Sequence, residues 1–573
     1  MLERLVGLET EYAIRFSPDT ETDGHRIGEG APLDRAPNAT PTPMPTPGHE
    51  LIYQAITRAL ARLVATGPGE RRWGRQQVFV ENGGAFYYEM LPNAVDEGLV
   101  EGSTPECRGP SEVLLYQLAQ EELLIDALPI AEEELRKAGF NGSLGLLKNC
   151  RDAEGHTYGA QENYEVSLAA GWRLVLYRVV LASLLPFALA TTALLWICAV
   201  IIVVALSALG LASLLGLAPR AHRSRALGHA LTFIEYSASA PVLAAYGTLI
   251  RGLGFRAIRR QTLAFFVSRP VITGAGSLLD AHAATFSLSE KASGINGLLR
   301  YTANPGSHVV FDIGNLMKSL LSPVMFRLRP LVRLFRPRQR LQIGFSDSNM
   351  CQTAAYLKVG TTLLVLDMAE AGLLADAPVL EHPLDALHGL TLDPGLKVQV
   401  AVRGRPPMSA LALQRYYLEK AKDFVRTAPA VSIDAREVVR LWAQMLEQLA
   451  VDPETLVGKV DWVTKRRLIA QAAGDASYET RKKIDLRYHE LGSGYHAQME
   501  RAGFTTVLLD RHRVDEARTR APQETPARIR SQIIQDLRKV EGPEARVAIT
   551  WDSVTIGGRI TGKLIRLDDY RGL

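Results

Sequence analysis

The sequence has no pair of cysteines close enough to make a motif. Cys107, Cys150, Cys198 and Cys351 are scattered over 573 residues, with no CxxC. That spacing excludes a zinc ribbon and a disulfide framework, and fits free thiols in a reducing compartment. A dominant charge is also missing. Lys and Arg number 65 against 61 Asp and Glu, a formal net charge of +4. Such a balance leaves no electrostatic footprint for nucleic acid, which is not an expected partner. The amino-terminal MLERLVGLETEYAI lacks the charged start, long apolar core and cleavage site of a signal peptide. The chain contains no Walker A motif, dinucleotide fingerprint, HExxH or GxSxG elbow. Those absences set aside the common P-loop, Rossmann, zincin and hydrolase chemistries.

What is present starts with charge in an unexpected place. VGLETEYAI (6–14) reads as an apolar strand, yet it holds Glu9 and Glu11 two residues apart. Strand side chains alternate between faces, so both carboxylates point to the same side. More carboxylates recur on strand-like segments: Glu89 in FYYE, Glu101 and Glu106 around EGSTPEC, Glu162 in QENY, and Asp347 with Asn349 in SDSN. Each alone is an ordinary surface residue. Together they are the oxygen ligands that suit Mg²⁺, which in turn gathers nucleotide phosphates.

Other stretches are conventional. Residues 17–50 are polar and proline-rich, a loop that packs no core. Helical periodicity runs through 50–65, 110–139, 411–425, 436–451 and 461–473. Strand–turn–strand patterns fit 77–91 and 144–166. Residues 340–372 read as a strand, a polar turn and a helix, and 546–567 as a small sheet.

Two stretches are unusual. From Val179 to Ala218, 40 positions carry no charge, with Arg173 and Arg178 before them and RAHRSR (220–225) after. About 20 apolar residues cross a bilayer, so the run is long enough for two spans. Basic residues at both ends predict a transmembrane hairpin over 173–225 with both ends in the cytoplasm, turning at Pro186 or the threonines at 191–192. Residues 315–340 alternate arginines with apolar side chains, as a segment lying on an anionic membrane does.

The chain also resembles a known family. GLETEY (7–12), NGGAFYYE (82–89), STPEC (103–107), LKNCRDAEGHTYGAQENY (147–164), FVSRPVITGAG (266–276), FSLSEKA (286–292) and RLQIGFSDSNMCQTAAYLKVGTTLLVLDM (340–368) carry the resemblance, with LALQRYYL, DWVTKRRLI, DLRYHE and WDSV after them. They stand in the order found in the Pup ligase and Pup deamidase/depupylase enzymes. YLKVGTTLLVLDM, LALQRYYL, WDSV and the long Pro-rich segment lean toward the deamidase/depupylase branch.

The resemblance implies an α+β fold: a glutamine-synthetase-like curved antiparallel sheet backed by helices, with carboxylates on its concave face. It implies a catalytic domain in two parts, 1–172 and 226–500, and a small C-terminal domain, 501–573. Glu89 takes the catalytic place. Glu9, Glu11, Glu101 and Gln161 are the implied Mg²⁺ ligands. Tyr87, Glu162, Asn163, Arg340, Asp347 and Asn349 are the implied ATP-binding residues.

Three departures stand out. Glu89 replaces the family's aspartate, moving the reacting oxygen by about 1 Å. Gln161 replaces the histidine of HENY. The arginine-bearing TRDEP segment has no counterpart, and DIGN (312–315) stands roughly there.

The leading expectation is an ATP/Mg²⁺-dependent amide hydrolase of the deamidase/depupylase type. It would act on a small Pup-like protein tag or a peptide, in a proteasome pathway. It would be tethered to the cytoplasmic membrane through 173–225 and 315–340, with its catalytic domain facing the cytoplasm. The alternatives are a Pup-ligase-like carboxylate–amine ligase and a nucleotide-binding membrane scaffold without chemistry.

Overall fold

The structure, a computed structural model, describes residues 1–19, 46–72, 75–91, 97–214, 223–280, 285–300, 308–320, 328–472, 477–539, 547–557 and 562–567. Most of the Pro-rich loop, and residues 321–327 of the basic stretch, lie outside the described residues.

One 14-stranded sheet organises the chain. Its centre is β1 (Leu5–Pro18). On one side follow β5 (Gly98–Ser103), β4 (Ala85–Met90), β3 (Arg75–Val80) and β2 (Thr66–Arg72). On the other lie β8 (Gln161–Ser167), β13 (Arg338–Ile343), β12 (Val309–Asp312) and β11 (Gly297–Arg300). The short β6 (Cys107–Arg108) and β7 (Gly142–Leu147) also pair with β1. Two ribbons stand apart: β9 (Ser277–Leu278) with β10 (Phe286–Ser287), and β14 (Gln399–Val402) with β15 (Arg405–Ser409). The expected fold class holds: a large, mainly antiparallel sheet with many helices. The C-terminal strands β16 (Val547–Ile549), β17 (Ser553–Ile556) and β18 (Lys563–Arg566) do not form a detached sheet. They extend the main one through a parallel bridge from Ile549 to Gly69 on β2.

The alternation in β1 decides which face meets the helices. Val6, Leu8, Thr10 and Tyr12 are buried. Against them pack α1 (His49–Leu63), α2 (Gly109–Lys137) and, further along, the central α9 (Gln352–Glu370). Pro110 stands in the first turn of α2, and Glu112 folds back to accept the backbone N–H of Arg108, the residue before the helix. A side chain at Gly102 on β5 would strike Gln120 of α2, with its Cβ 1.9 Å from Nε2. Glycine there lets Gln120 reach the Tyr12 hydroxyl at 3.2 Å. In α9 every residue but Asp367 and Glu370 is buried, and those two hold Arg4 in an ion pair.

The hairpin prediction is corrected. The apolar run is a single helix, α3 (Trp172–Leu214), and does not turn at Pro186 or at the threonines at 191–192. Pro186 lies within it, and Thr192 hydrogen-bonds back to the carbonyl of Ala188, one turn earlier. The Thr192 hydroxyl is therefore satisfied within the helix, where a break was expected. The second arm is α4 (Arg223–Gly252), which runs well past the predicted boundary at 225. Tyr177 and Tyr246 meet hydroxyl to hydroxyl at 3.0 Å, so the root of α3 lies beside the end of α4. The chain then continues into α5 (Arg256–Ser268) and the short α6 (Pro270–Thr273).

Arg269, between α5 and α6, ties this region to the sheet. Its guanidinium grips both oxygens of Glu162, at 2.7 and 3.0 Å, and reaches Thr362 and the carbonyl of Phe345. Both partners are buried. Removing one partner strands a charge, so Arg269→Ala is expected to cost about 3–5 kcal/mol in urea unfolding. Glu162→Leu with Arg269→Met is expected to recover much of that loss. A single-variant loss below about 1 kcal/mol would show that the pair holds nothing.

Candidate active site

Cross-strand register builds the site. Glu11 on β1 faces Glu101 on β5, which faces Tyr87 on β4. One step along, Gln161 on β8 faces Glu9, which faces Ser103. Glu89 follows Tyr87 by two residues, so it shares that face and is exposed. Five expected residues, Glu9, Glu11, Tyr87, Glu89 and Glu101, therefore come together on the face opposite the helices, with Gln161 at their edge.

Their charges interact. The Glu11 carboxyl is pushed up to about 8 by burial and then by Glu89. Lys291 and the N–H of Gly159, which donates to Glu11 at 2.7 Å, pull the other way. Gly159 adopts a φ of +104°, which glycine alone takes easily and which aims that N–H at the carboxylate. Glu101 is held well above the usual carboxylate range by burial and then by Glu9, Glu89 and Glu11. Burial, then Glu101, also raises the Tyr87 phenol. That phenol accepts hydrogen bonds from Trp551 and Gln77.

Arg340 on β13 is the cation at the other side. It donates to Asn163 at 2.7 Å, and to Glu9 and Gln342 at 3.0 Å each. Further along the sheet, Asp312 pairs with Arg300, and Asn315, at the start of α7 (Gly314–Leu320), donates to Gln342. The face thus runs from acidic on β1, β4 and β5 to basic at Arg340 and Arg300.

Three expected binding residues are not part of this face. Glu162 sits one residue off the alternation of Gln161 and Asn163, so it points to the helices and pairs with Arg269. Burial opposes its charge, yet Arg269 outweighs it and holds the carboxyl below its usual range. Asp347 is consumed by structure: it accepts from the backbone N–H groups of Ala275, Glu290 and Lys291 and from Ser289. Asn349 bridges the carbonyl of Thr273 and Asp461.

Several contributors escaped the sequence reading. Lys291, in FSLSEKA, is buried with its Nζ on the carbonyl of Ala160, beside the cluster. Arg530 stacks on Trp551, 4.6 Å from the ring centroid, and pairs with Glu106 at 2.8 Å. Arg300 stands next to DIGN in space but twelve residues earlier in sequence.

Among the described residues, no group of three or more His, Cys, Asp or Glu side chains is drawn together in metal-binding geometry. Glu9 is engaged by Arg340 instead. The donor chemistry nevertheless fits a hard cation: Glu11 and Glu101 are oxygen ligands raised by burial and then by neighbouring carboxylates, Glu89 first for Glu11 and Glu9 first for Glu101, and a divalent ion would relieve that repulsion.

The comparisons with known proteins agree on one family. A model described as Pup-ligase protein matches residues 4–555. The Pup–protein ligase of Paenarthrobacter aurescens (strain TC1) is 24% identical, aligned over 100% of this chain and 97% of that protein. The Pup–protein ligase of Mycolicibacterium smegmatis is 25% identical, over 93% and 90%. Among solved structures, the complex between Pup and its ligase PafA superposes with a TM-score of 0.65 at 18% identity, covering 100% of this chain and 92% of that one. PafA in complex with ADP gives 0.60 at 18% identity, over 96% and 95%. The expected lean toward the deamidase/depupylase branch finds no support in these matches, whose names are those of ligases.

The raised Glu11 carboxyl makes a pH prediction. A carboxyl whose pKa is raised on folding stabilises the protein below its ordinary value, and that stability is lost as pH rises toward about 8. Without metal, the melting temperature is expected to fall over that window. Mg²⁺ is expected to offset the fall, with a gain that grows with pH because binding requires the ionised form. Glu11→Gln is expected to remove both effects. Equal pH profiles for wild type and Glu11→Gln would contradict this.

Proposed function

The chain belongs to the Pup-ligase family, and from that premise we propose that it is an ATP-dependent carboxylate–amine ligase. Its substrates would be a glutamate side chain of a small Pup-like protein and an amine on a target protein. One observation carries the reading: a strip of carboxylates on β1, β4 and β5 lies on the same sheet face as Arg340 and Arg300. That division suits a nucleotide polyphosphate, with guanidinium groups for its oxygens and carboxylates for its cation. The relatives' names, and the neighbours described in complex with Pup and with ADP, support the same reading.

Glu9, Glu11 and Glu101 would hold Mg²⁺, which neutralises phosphate charge when bound. For Glu9 to do so, Arg340 has to swing from it toward the phosphates. Arg340 is half-exposed, so that movement needs no repacking. In the first step the substrate carboxylate attacks the terminal phosphorus of ATP and ADP leaves. In the second the target amine attacks the acyl carbon and phosphate leaves. The amine sheds a proton as its bond to carbon forms. Glu89, exposed at the rim of the strip, is placed to take that proton. Tyr87, fixed by Trp551 and Gln77, walls the strip beside it.

A ligase is expected to release one ADP per isopeptide formed, measured with a Pup-like substrate ending in glutamate. Catalytic nucleotide use with release of ammonia would instead identify a hydrolase. Glu89→Ala is expected to lower kcat about a hundredfold or more while leaving nucleotide affinity within a few fold. Unchanged turnover would remove Glu89 from the chemistry.

A further inference from the structure

The α3–α4 hairpin stands apart from the reaction and shows an unusual surface. Tyr177, Leu181 and Ala188 form a stripe on α3 that packs into the main core with Val242, Tyr246 and Ile250 of α4. Beyond that stripe the helix stays uncharged. Ile197, Val200, Ile201, Val203 and Val204 are each 57–61% exposed. At 100° per residue these positions, with Leu189 and Leu194, spread over about half the circumference. On the rest of the circumference stand Leu195, Cys198 and Ile202, with Thr191 and Thr192, the latter spending its hydroxyl on the carbonyl of Ala188. A helix that docks on a protein keeps a polar outer face; one that is apolar all round is found in a core or in lipid. This one is not in a core. Trp172–Val204, 33 residues, is long and apolar enough to cross a membrane.

The root of the hairpin is basic. Leu168, just before α3, donates to the carbonyl of Pro337 and accepts from the N–H of Phe255. Arg178 donates to the carbonyl of Phe335. These bonds gather three separate segments at one place. Beside the tied backbone stand Arg173 and Arg256, with Arg260 one turn on, all three exposed. The short α8 (Arg329–Arg333) sits in the same collar, its Leu331 in the core and its Val332 70% exposed. Arg333 is not counted, because it pairs with Asp552. In a chain of net charge +4, this is a local concentration of positive charge at the foot of an apolar helix.

We infer that the α3–α4 hairpin is a membrane anchor: it enters an anionic bilayer with α3 facing the lipid, and the arginines at its root rest on the headgroups. Apolar length sets the depth, and charge complementarity sets where entry stops. Trp172, 67% exposed beside Arg173, has the amphipathic ring favoured at that boundary. The catalytic sheet stays on the basic side, which is the cytoplasmic side. The inference is independent of the ligase reading, since no site residue takes part.

The full-length protein, mixed with vesicles of phosphatidylcholine and phosphatidylglycerol, is expected to float with them through a density gradient and to remain bound in high salt. Ile197→Asp with Ile201→Asp changes only exposed positions and is expected to cut the floating fraction about tenfold or more, with the melting temperature unchanged. Arg173→Glu with Arg256→Glu and Arg260→Glu is expected to reduce capture by phosphatidylglycerol vesicles about tenfold and to leave pure phosphatidylcholine capture unaltered. Wild-type protein that stays at the bottom of the gradient would overturn the inference, as would equal floating of the aspartate variant. A discrete dimer lost in that variant, without floating, would also overturn it and assign the helix to a second copy of the chain.

Discussion

Like charges on neighbouring strands repel, and β1, β4 and β5 place Glu9, Glu11, Glu89 and Glu101 on one face of strands about 4.8 Å apart. The surrounding structure is arranged to tolerate that repulsion without a core of opposite charge beneath it. Gly159 turns an N–H onto Glu11, Lys291 lends its field from a buried position, and Arg340 takes Glu9. Behind them lies a buried ionic layer that fixes these groups. Lys465 joins Glu290 and Asp485, Glu290 accepts from the N–H of Cys150, and Asp461 receives Tyr488, Asn349 and two backbone N–H groups. Such a network is costly to desolvate and is held by the pairing of its charges. Its return is positional: the loops carrying Gly159 and Lys291 have one place to go.

The sequence made half of this legible. Alternation in VGLETEYAI put Glu9 and Glu11 on one face and Val6, Leu8, Thr10 and Tyr12 on the other, and the strand does so because one face meets helices. Where alternation was not applied, the reading failed. Glu162 was grouped with Gln161 and Asn163 although its neighbours occupy the opposite face. Asp347 and Asn349 were polar residues in a turn, and nothing local distinguishes a ligand from a side chain spent on distant backbone groups, N–H groups for Asp347 and the carbonyl of Thr273 for Asn349. Arg300, Lys291 and Arg530 reach the site through long-range pairing, which composition and period do not encode.

The long apolar run shows the same limit. Its existence was plain, but its turn was misplaced: Pro186 lies inside the helix without ending it, and Thr192 spends its hydroxyl on the carbonyl one turn earlier. The consequence reaches the site. β8 begins at Gln161, beside Glu9, and ends at Ser167, just before the root of α3. Roughly 20 Å of strand, at about 3.3 Å per residue, separates the carboxylates from the hairpin. A strand paired on both sides is stiff, so whatever holds α3 fixes the orientation of the cleft.

The account rests on the carboxylate strip becoming a metal site when nucleotide binds and Arg340 leaves Glu9. Crystals of the protein grown with ADP and Mn²⁺ in place of Mg²⁺ test this by anomalous diffraction. The account predicts a peak among Glu9, Glu11 and Glu101, with the Arg340 guanidinium moved off Glu9 toward the phosphates. A peak elsewhere, or bound ADP with the Arg340–Glu9 pair intact and no metal on the strip, would contradict it.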